Sequence, residues 1–459
     1  MRILIRHGTV VNADGSLAAD VLIEGEKVVQ VGPSLAADAD RTYDATGRYV
    51  IPGGVDVHTH LDMPLGDTTS ADDFESGTIA AAFGGTTTIV DFAVQDPGDT
   101  LHHALETWTR KAEGKAAIDY GFHVIVTDLT ERVEQEMDEL VGEGVTSFKL
   151  FLAYPGRLMV DDATIFRALL RTAWNGGLVL VHAENGGVID VLTKRALAEG
   201  RREPRQHALT RPAQAEAEAV HRAIALAELA GAPVYIVHVS AAEAVEEVAA
   251  ARSRGLPVFA ETCPQYLFLS DECYEEPGFD GAKYVMSPPL RDRRAQERLW
   301  QGLASDELQV VATDHCPFRM SDQKALGRDD FTKILGGVPG IETRMSLLLD
   351  GGVGGGRFDV RRFVAVTATN PARIFGLHPR KGVIAPGSDA DIVVFDPDRE
   401  MTLSAATLHM RVDYSPYEGR VVRGVPELVL SRGRPVVERG TFVGRPGAGT
   451  FLRRSLRRA

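Results

Sequence analysis

A chain of 459 residues with 44% hydrophobic and 25% charged side chains can bury a large core, and it is too long for one ordinary domain unless much of it forms a barrel. Its 64 acidic and 50 basic residues leave a formal net charge of -14, which argues against a nucleic-acid partner because phosphate binding needs a basic face. No segment reaches the apolar length of a membrane span, and Met1 to His7 has no apolar run of signal-peptide length. Cys263, Cys273 and Cys316 make neither a CxxC pair nor an even disulfide framework, so a reducing cytoplasm is the expected compartment.

The first fifty residues read as short strands and turns. Ile3-Leu4-Ile5 and Thr9-Val10-Val11 precede the turn Ala13-Asp14-Gly15, and Val21-Leu22-Ile23 pairs across Glu24-Gly25-Glu26 with Val28 to Val31. The same texture returns at Ala390 to Phe395 and Glu427 to Leu430. Two strand-rich ends around one long middle predict a smaller β-sandwich domain built from both chain ends, over residues 1–50 and 377–446. The tail, residues 447–459, reads as an extended arm whose arginines face solvent or another subunit.

Between these ends, short apolar runs alternate with helical stretches such as Ala213 to Ala230. The runs are Val55 to His60, Thr86 to Phe92, Gly121 to Thr127, Ser147 to Leu152, Leu178 to Ala183, Pro233 to Val239, Pro257 to Glu261 and Gln309 to Thr313. Eight such strands alternating with helices predict an α/β chain whose middle, residues 51–376, is a (β/α)8 barrel.

Catalytic groups of such barrels sit at the C-terminal ends of the strands, and here those ends carry an unusual polar set. The first run closes on His58-Thr59-His60, where alternation puts both imidazoles on one face. The fifth ends in His182, the sixth in His238 and the eighth in Asp314. One histidine after an apolar strand is ordinarily a packed, hydrogen-bonded one. Four histidines and an aspartate converging on one rim describe nitrogen and carboxylate ligands around a zinc-type catalytic site.

Lys149 lies within the apolar strand Ser147-Phe148-Lys149-Leu150-Phe151-Leu152, where an ammonium is costly to bury. Two readings are open from the residues. It snorkels out or pairs with an acid, or its neutral amine has added carbon dioxide, giving a carbamate able to bridge two metal ions.

Several runs resemble the hydantoinase and dihydropyrimidinase family of cyclic amidohydrolases. They are Gly53 to Pro64, Asp73-Phe74-Glu75-Ser76-Gly77-Thr78, Phe83-Gly84-Gly85-Thr86-Thr87 and Asp413-Tyr414-Ser415-Pro416-Tyr417-Glu418-Gly419, so the likeness spans nearly the whole chain. The resemblance implies a two-metal site, with zinc the expected ion. His58, His60 and Asp314 would hold the more buried ion, His182 and His238 the other, and carbamoylated Lys149 would bridge them. Asp314 would also carry the proton, Tyr154 would hydrogen-bond the oxyanion, and Ser287 would hold the substrate imide through its main chain. Met63, Leu65, Phe151 and Leu158 match substrate-facing loop positions. A small cyclic ureide or imide is the implied substrate, opened to an N-carbamoyl amino acid, and a homo-oligomer, dimer or tetramer, the implied assembly.

One departure concerns substrate. Where the family often reads Lys-Ile-Pro-Asn-Gly, this chain has Lys333-Ile334-Leu335-Gly336-Gly337, so Gly336 replaces the substrate-contacting asparagine. Rival readings are dihydroorotase, which expects an arginine after the HxH pair where Leu61-Asp62 stands, and allantoinase, which expects a Pro-Gly-Arg-like run where Met63-Pro64-Leu65-Gly66 stands. A non-catalytic dihydropyrimidinase-related structural protein would have lost metal ligands, and all six positions are filled here.

Overall fold

The computed structural model describes residues 1–457, which leaves the last two residues of the expected arm outside the described residues. The eight apolar runs form the strands β1 (Gly54–Thr59), β2 (Thr86–Val94), β3 (Asp119–Ile125), β4 (Ser147–Phe151), β5 (Leu178–His182), β6 (Val234–Ile236), β7 (Val258–Thr262) and β8 (Val310–Val311), each hydrogen-bonded in parallel to the next. Strand alternation sorts their side chains into two cores. Phe148 and Leu150 pack outward under the helices, whereas Phe151, Leu180, Tyr235 and Val310 fill the lumen. Lys149 shares the parity of Phe151 and therefore points inward.

β1 does not follow simple alternation. Val55 and Val57 belong to the lumen core, and a register irregularity between Asp56 and Thr59 lets His58 and His60 reach the lumen as well. The seam between β8 and β1 has little regular ladder and is closed by side chains. Thr313 donates through N–H and Oγ1 to Asp56, at 3.1 and 2.7 Å. The fully buried Arg344 donates to Val55 O at 3.1 Å and Val311 O at 2.9 Å.

Helices cover the outside. The one over Ala213–Ala230 follows Pro212 and stops at Gly231, whose φ of +63° is the left-handed cap that glycine takes without strain. Among the described residues no helix is long and apolar enough to cross a membrane.

Both chain ends build one nine-stranded, mostly antiparallel sheet that forms the sandwich domain. The ends meet where Tyr49–Pro52 pairs antiparallel with Ile392–Phe395, over a separate core that includes Ile3, Val21, Val50 and Leu430. The tail departs from expectation at one residue. Tyr120 N–H donates to Thr450 O and Leu452 N–H to Tyr120 O, at 3.1 and 2.7 Å, which docks the tail along β3. Arg454 follows it in, is buried, and donates to Phe122 O.

Candidate active site

The strand ends deliver two adjoining groups of ligands. Asp314 Oδ1 lies 3.2 Å from His58 Nε2 and 3.3 Å from His60 Nε2. His182 Nδ1 faces His238 Nε2 at 2.8 Å. The ring centroids of His58 and His238 are 5.4 Å apart, so the two groups share one floor. Lys149 Nζ sits there, 2.9 Å from His58 Nε2 and 4.3 Å from the centre of the Phe92 ring. The lysine is 1% exposed and makes no ion pair among the described residues, so it neither snorkels nor finds an acid. Burial lowers its amine to about 8, which leaves a usable neutral fraction.

Two carboxylates behind the ligands orient the imidazoles. His58 Nδ1 hydrogen-bonds Glu261, which also accepts from Tyr235 OH at 2.7 Å and His238 N–H at 3.2 Å. His182 Nε2 lies 2.9 Å from Glu184 Oε2. Glu261 and Glu184 occupy the ring nitrogens that face away from the site, which leaves His58 Nε2 and His182 Nδ1 aimed into it. Burial lowers His58, His60 and His238 below the usual imidazole range, favouring the neutral, ligating form. Burial alone would raise Asp314, but His58, His60 and Lys149 outweigh it and hold it at about 2. Ring nitrogens and a carboxylate oxygen thus converge on one small space. His58, His238 and Asp314 present ligand atoms that all lie within 4.8 Å of one another. A divalent cation fits this donor set.

A cavity of ≈ 390 Å³ opens above the floor. It brings together His60, Lys149, His182, His238 and Asp314 with Met63, Leu65, Phe151, Tyr154, Leu158, Ser287 and Gly336; only His58, fully buried, lies beneath it. Tyr154, His238 and Asp314 have positive φ of 68°, 39° and 51°, a strained backbone that aims all three side chains from the rim. Burial raises the Tyr154 hydroxyl, so it stays protonated and able to donate. A Cβ at Gly336 would meet only Met286 Cα, at 3.9 Å. Glycine is therefore not sterically required there, and its effect is to bare the main chain to the cavity. The neighbouring Gly337 is different, since a Cβ there would lie 2.2 Å from Cys316 O.

Glu184 and Glu261 were not assigned roles from sequence. Both end apolar strand runs, as the ligands do, and that position was the available signal.

A parallel barrel with histidines, a buried lysine and an aspartate on its C-terminal rim is the site of an amidohydrolase, and the Amidohydrolase family model matches residues 49–436. Within that superfamily, the chain belongs to the hydantoinase and dihydropyrimidinase family. It is 56% identical to the D-hydantoinase of Streptomyces coelicolor, covering 99% of this chain and 98% of that one. The crystal structure of dihydropyrimidinase from Brevibacillus agri NCHU1002 superposes with a TM-score of 0.99 at 54% identity, covering all of both chains. The L-hydantoinase of Arthrobacter aurescens gives a TM-score of 0.90 at 31% identity, covering 98% of this chain and 99% of that one.

Proposed function

We propose that this cyclic amidohydrolase opens the ring amide of hydantoins and dihydropyrimidines, releasing N-carbamoyl α- or β-amino acids, with two divalent ions held on the barrel rim. The observation that carries the reading is the convergence of His58, His60, His182, His238 and Asp314 around the buried Lys149. His58, His60 and Asp314 would hold one ion and His182 and His238 the other. Bound there, the ions, zinc by preference, would polarise the ring carbonyl and make water nucleophilic near neutral pH.

The chain's own groups do the rest. The Lys149 amine would add carbon dioxide and release one proton, giving a carbamate whose two oxygens would supply ligands to the ions. Tyr154 donates its hydroxyl proton to the carbonyl oxygen as negative charge builds there. Asp314 accepts a proton from the attacking water and returns it to the departing ring nitrogen. The main chain at Ser287 and Gly336 orients the imide. The apolar side chains of Met63, Leu65, Phe151 and Leu158 face a substituent on the ring. A homo-oligomer, dimer or tetramer, is the assembly proposed with this function.

The test is steady-state kinetics on hydantoin, dihydrouracil, a 5-aryl hydantoin, allantoin and dihydroorotate, before and after chelation. Turnover of the first three, lost on chelation and restored by zinc, manganese or cobalt, is expected. Preference for allantoin or dihydroorotate, or full activity in metal-free protein, would overturn the reading.

A further inference from the structure

Three separate segments wall the substrate cavity, and two adjacent residues outside it fasten all three. One wall is the hairpin carrying Met63 and Leu65, the second leads through Val285 to Ser287, and the third leads through Leu335 to Gly336. Behind them Lys324 is 0% exposed, and its Nζ donates to Val285 O and to Leu335 O, both at 3.0 Å. Gly337 N–H adds a third tie, donating to the same Val285 O at 2.9 Å. The preceding residue, Gln323, turns the other way. Its Nε2 donates to Thr68 Oγ1 at 2.9 Å and Thr69 O at 2.8 Å, and its Oε1 accepts from Arg319 N–H at 2.9 Å. The turn that follows is pressed against the third wall, because a Cβ on Gly327 would lie 2.3 Å from Ile334 N.

Lys324 has no carboxylate within ion-pair distance among the described residues. Burying a lysine without a counter-ion is costly. What the amine supplies, and a hydrocarbon cannot, is donors to two carbonyls on different walls. We propose that Gln323 and Lys324 are positioning residues that set the substrate cavity. Lys324 fixes the two main-chain walls that face the ring, and Gln323 fixes the hairpin that faces its substituent. Which wall meets which part of the substrate rests on the function proposed above.

That division of labour gives a test. Lys324→Met keeps the apolar stem and removes every donor. KM for hydantoin and for dihydrouracil should both rise about tenfold while kcat stays within about threefold, the pattern of lost uniform binding. Lys324→Gln, which returns N–H donors on a neutral head, should recover part of that loss. Gln323→Glu is nearly isosteric but loses the donor to Thr69 O and sets a carboxylate oxygen against that carbonyl, leaving the Thr68 hydroxyl as the one group of the hairpin that can still bond to it. It should raise KM for a 5-aryl hydantoin several-fold and leave unsubstituted hydantoin unchanged.

A substrate-free readout separates this idea from the functional one. Amide hydrogen exchange should quicken in residues 285–288 and 334–338 of Lys324→Met and in residues 62–70 of Gln323→Glu, with the barrel strands unchanged. If the wild-type enzyme opens no cyclic amide but the exchange pattern holds, the functional reading fails and the positioning role stands. Unchanged exchange in those segments would overturn the positioning role. So would equal KM shifts for substituted and unsubstituted rings in Gln323→Glu. Should Lys324→Met not fold, Gln323→Glu alone decides by the same exchange and KM criteria.

Discussion

The two ends of the barrel strands each hold a buried cluster of titratable groups, and both bring three candidate ligands within 4.8 Å. At the rim these are His58, His238 and Asp314; at the opposite end, where β3 begins, they are Asp119, Asp389 and Asp391. The lower cluster already contains its cations. Lys381 Nζ lies 2.7 Å from Asp119 and 3.1 Å from Asp389 and also pairs with Asp391. Arg432 Nε reaches Asp119 at 3.0 Å, and Lys27 reaches Asp389 at 2.6 Å. The upper cluster has one buried lysine that touches an imidazole instead of an acid. Proximity of ligands is thus the same at both ends, and what separates a structural clamp from a reactive site is whether the protein supplies the counter-charge itself.

Replacing the two lysines is the sharpest way to break that contrast. Lys149→Ala should lose the bridge, most of the metal and nearly all turnover, a fall of about 10³-fold or more where charge stabilisation and nucleophile both depend on the ions. It also leaves a cavity shaped for a small carboxylic acid. Millimolar acetate or propionate with added zinc should therefore return part of the rate. Normal metal content in the variant would remove the bridge, as would an unmodified amine in electron density of active, metal-loaded enzyme.

Asp314→Asn tests whether the rim carboxylate does more than hold an ion. With metal content largely retained, turnover should fall by about 10²–10⁴-fold, the usual worth of general acid–base catalysis. A loss below about threefold would reduce Asp314 to a ligand. Tyr154→Phe removes one hydroxyl and keeps the ring, so a fall of about 10²–10³-fold in kcat with unchanged thermal stability is expected. An unaltered kcat would return Tyr154 to the role of a packed aromatic.

The upper cluster was largely legible in the sequence, and the lower one was not. The candidate ligands announce themselves because each ends an apolar run whose length and spacing already define a barrel strand, so position alone gives direction. Lys149 stands out because an ammonium is out of place in such a run. Glu261 and Glu184 share that position, yet their partners could not be read. The bond from His58 to Glu261 joins residues 203 apart, and a lone acid after a strand equally suits a helix cap. Lys381 and Asp119 are 262 apart in the chain, and Lys381 sits in a loop with no periodicity to orient it. Gln323 and Lys324 have the same handicap. The irregularity in β1 was hidden too: strict alternation accounts for His58 and His60 sharing a face, but not for Val57 and His58 both entering the lumen.

The mildest effect on catalysis is expected from the lower lysine. Lys381→Met should leave kcat and metal content per folded molecule unchanged, since no atom of that cluster lines the cavity. Stability should fall by about 3–5 kcal/mol, the usual penalty for stranding buried charges. The pH dependence carries the sign. Burial alone would raise Asp389, but Lys381, Lys27 and Arg380 outweigh it and hold its carboxyl at about 2. A carboxyl depressed below its unfolded value stabilises the fold above the unfolded pKa, near 4 for an aspartate. That contribution is lost as pH falls from there toward 2. The gap in melting temperature between wild type and Lys381→Met should therefore be widest near neutral pH and should narrow toward pH 3. A gap that stays constant to pH 3 would mean that Lys381 stabilises through packing alone. A fall in kcat at full metal occupancy would mean that the two ends of the barrel are coupled.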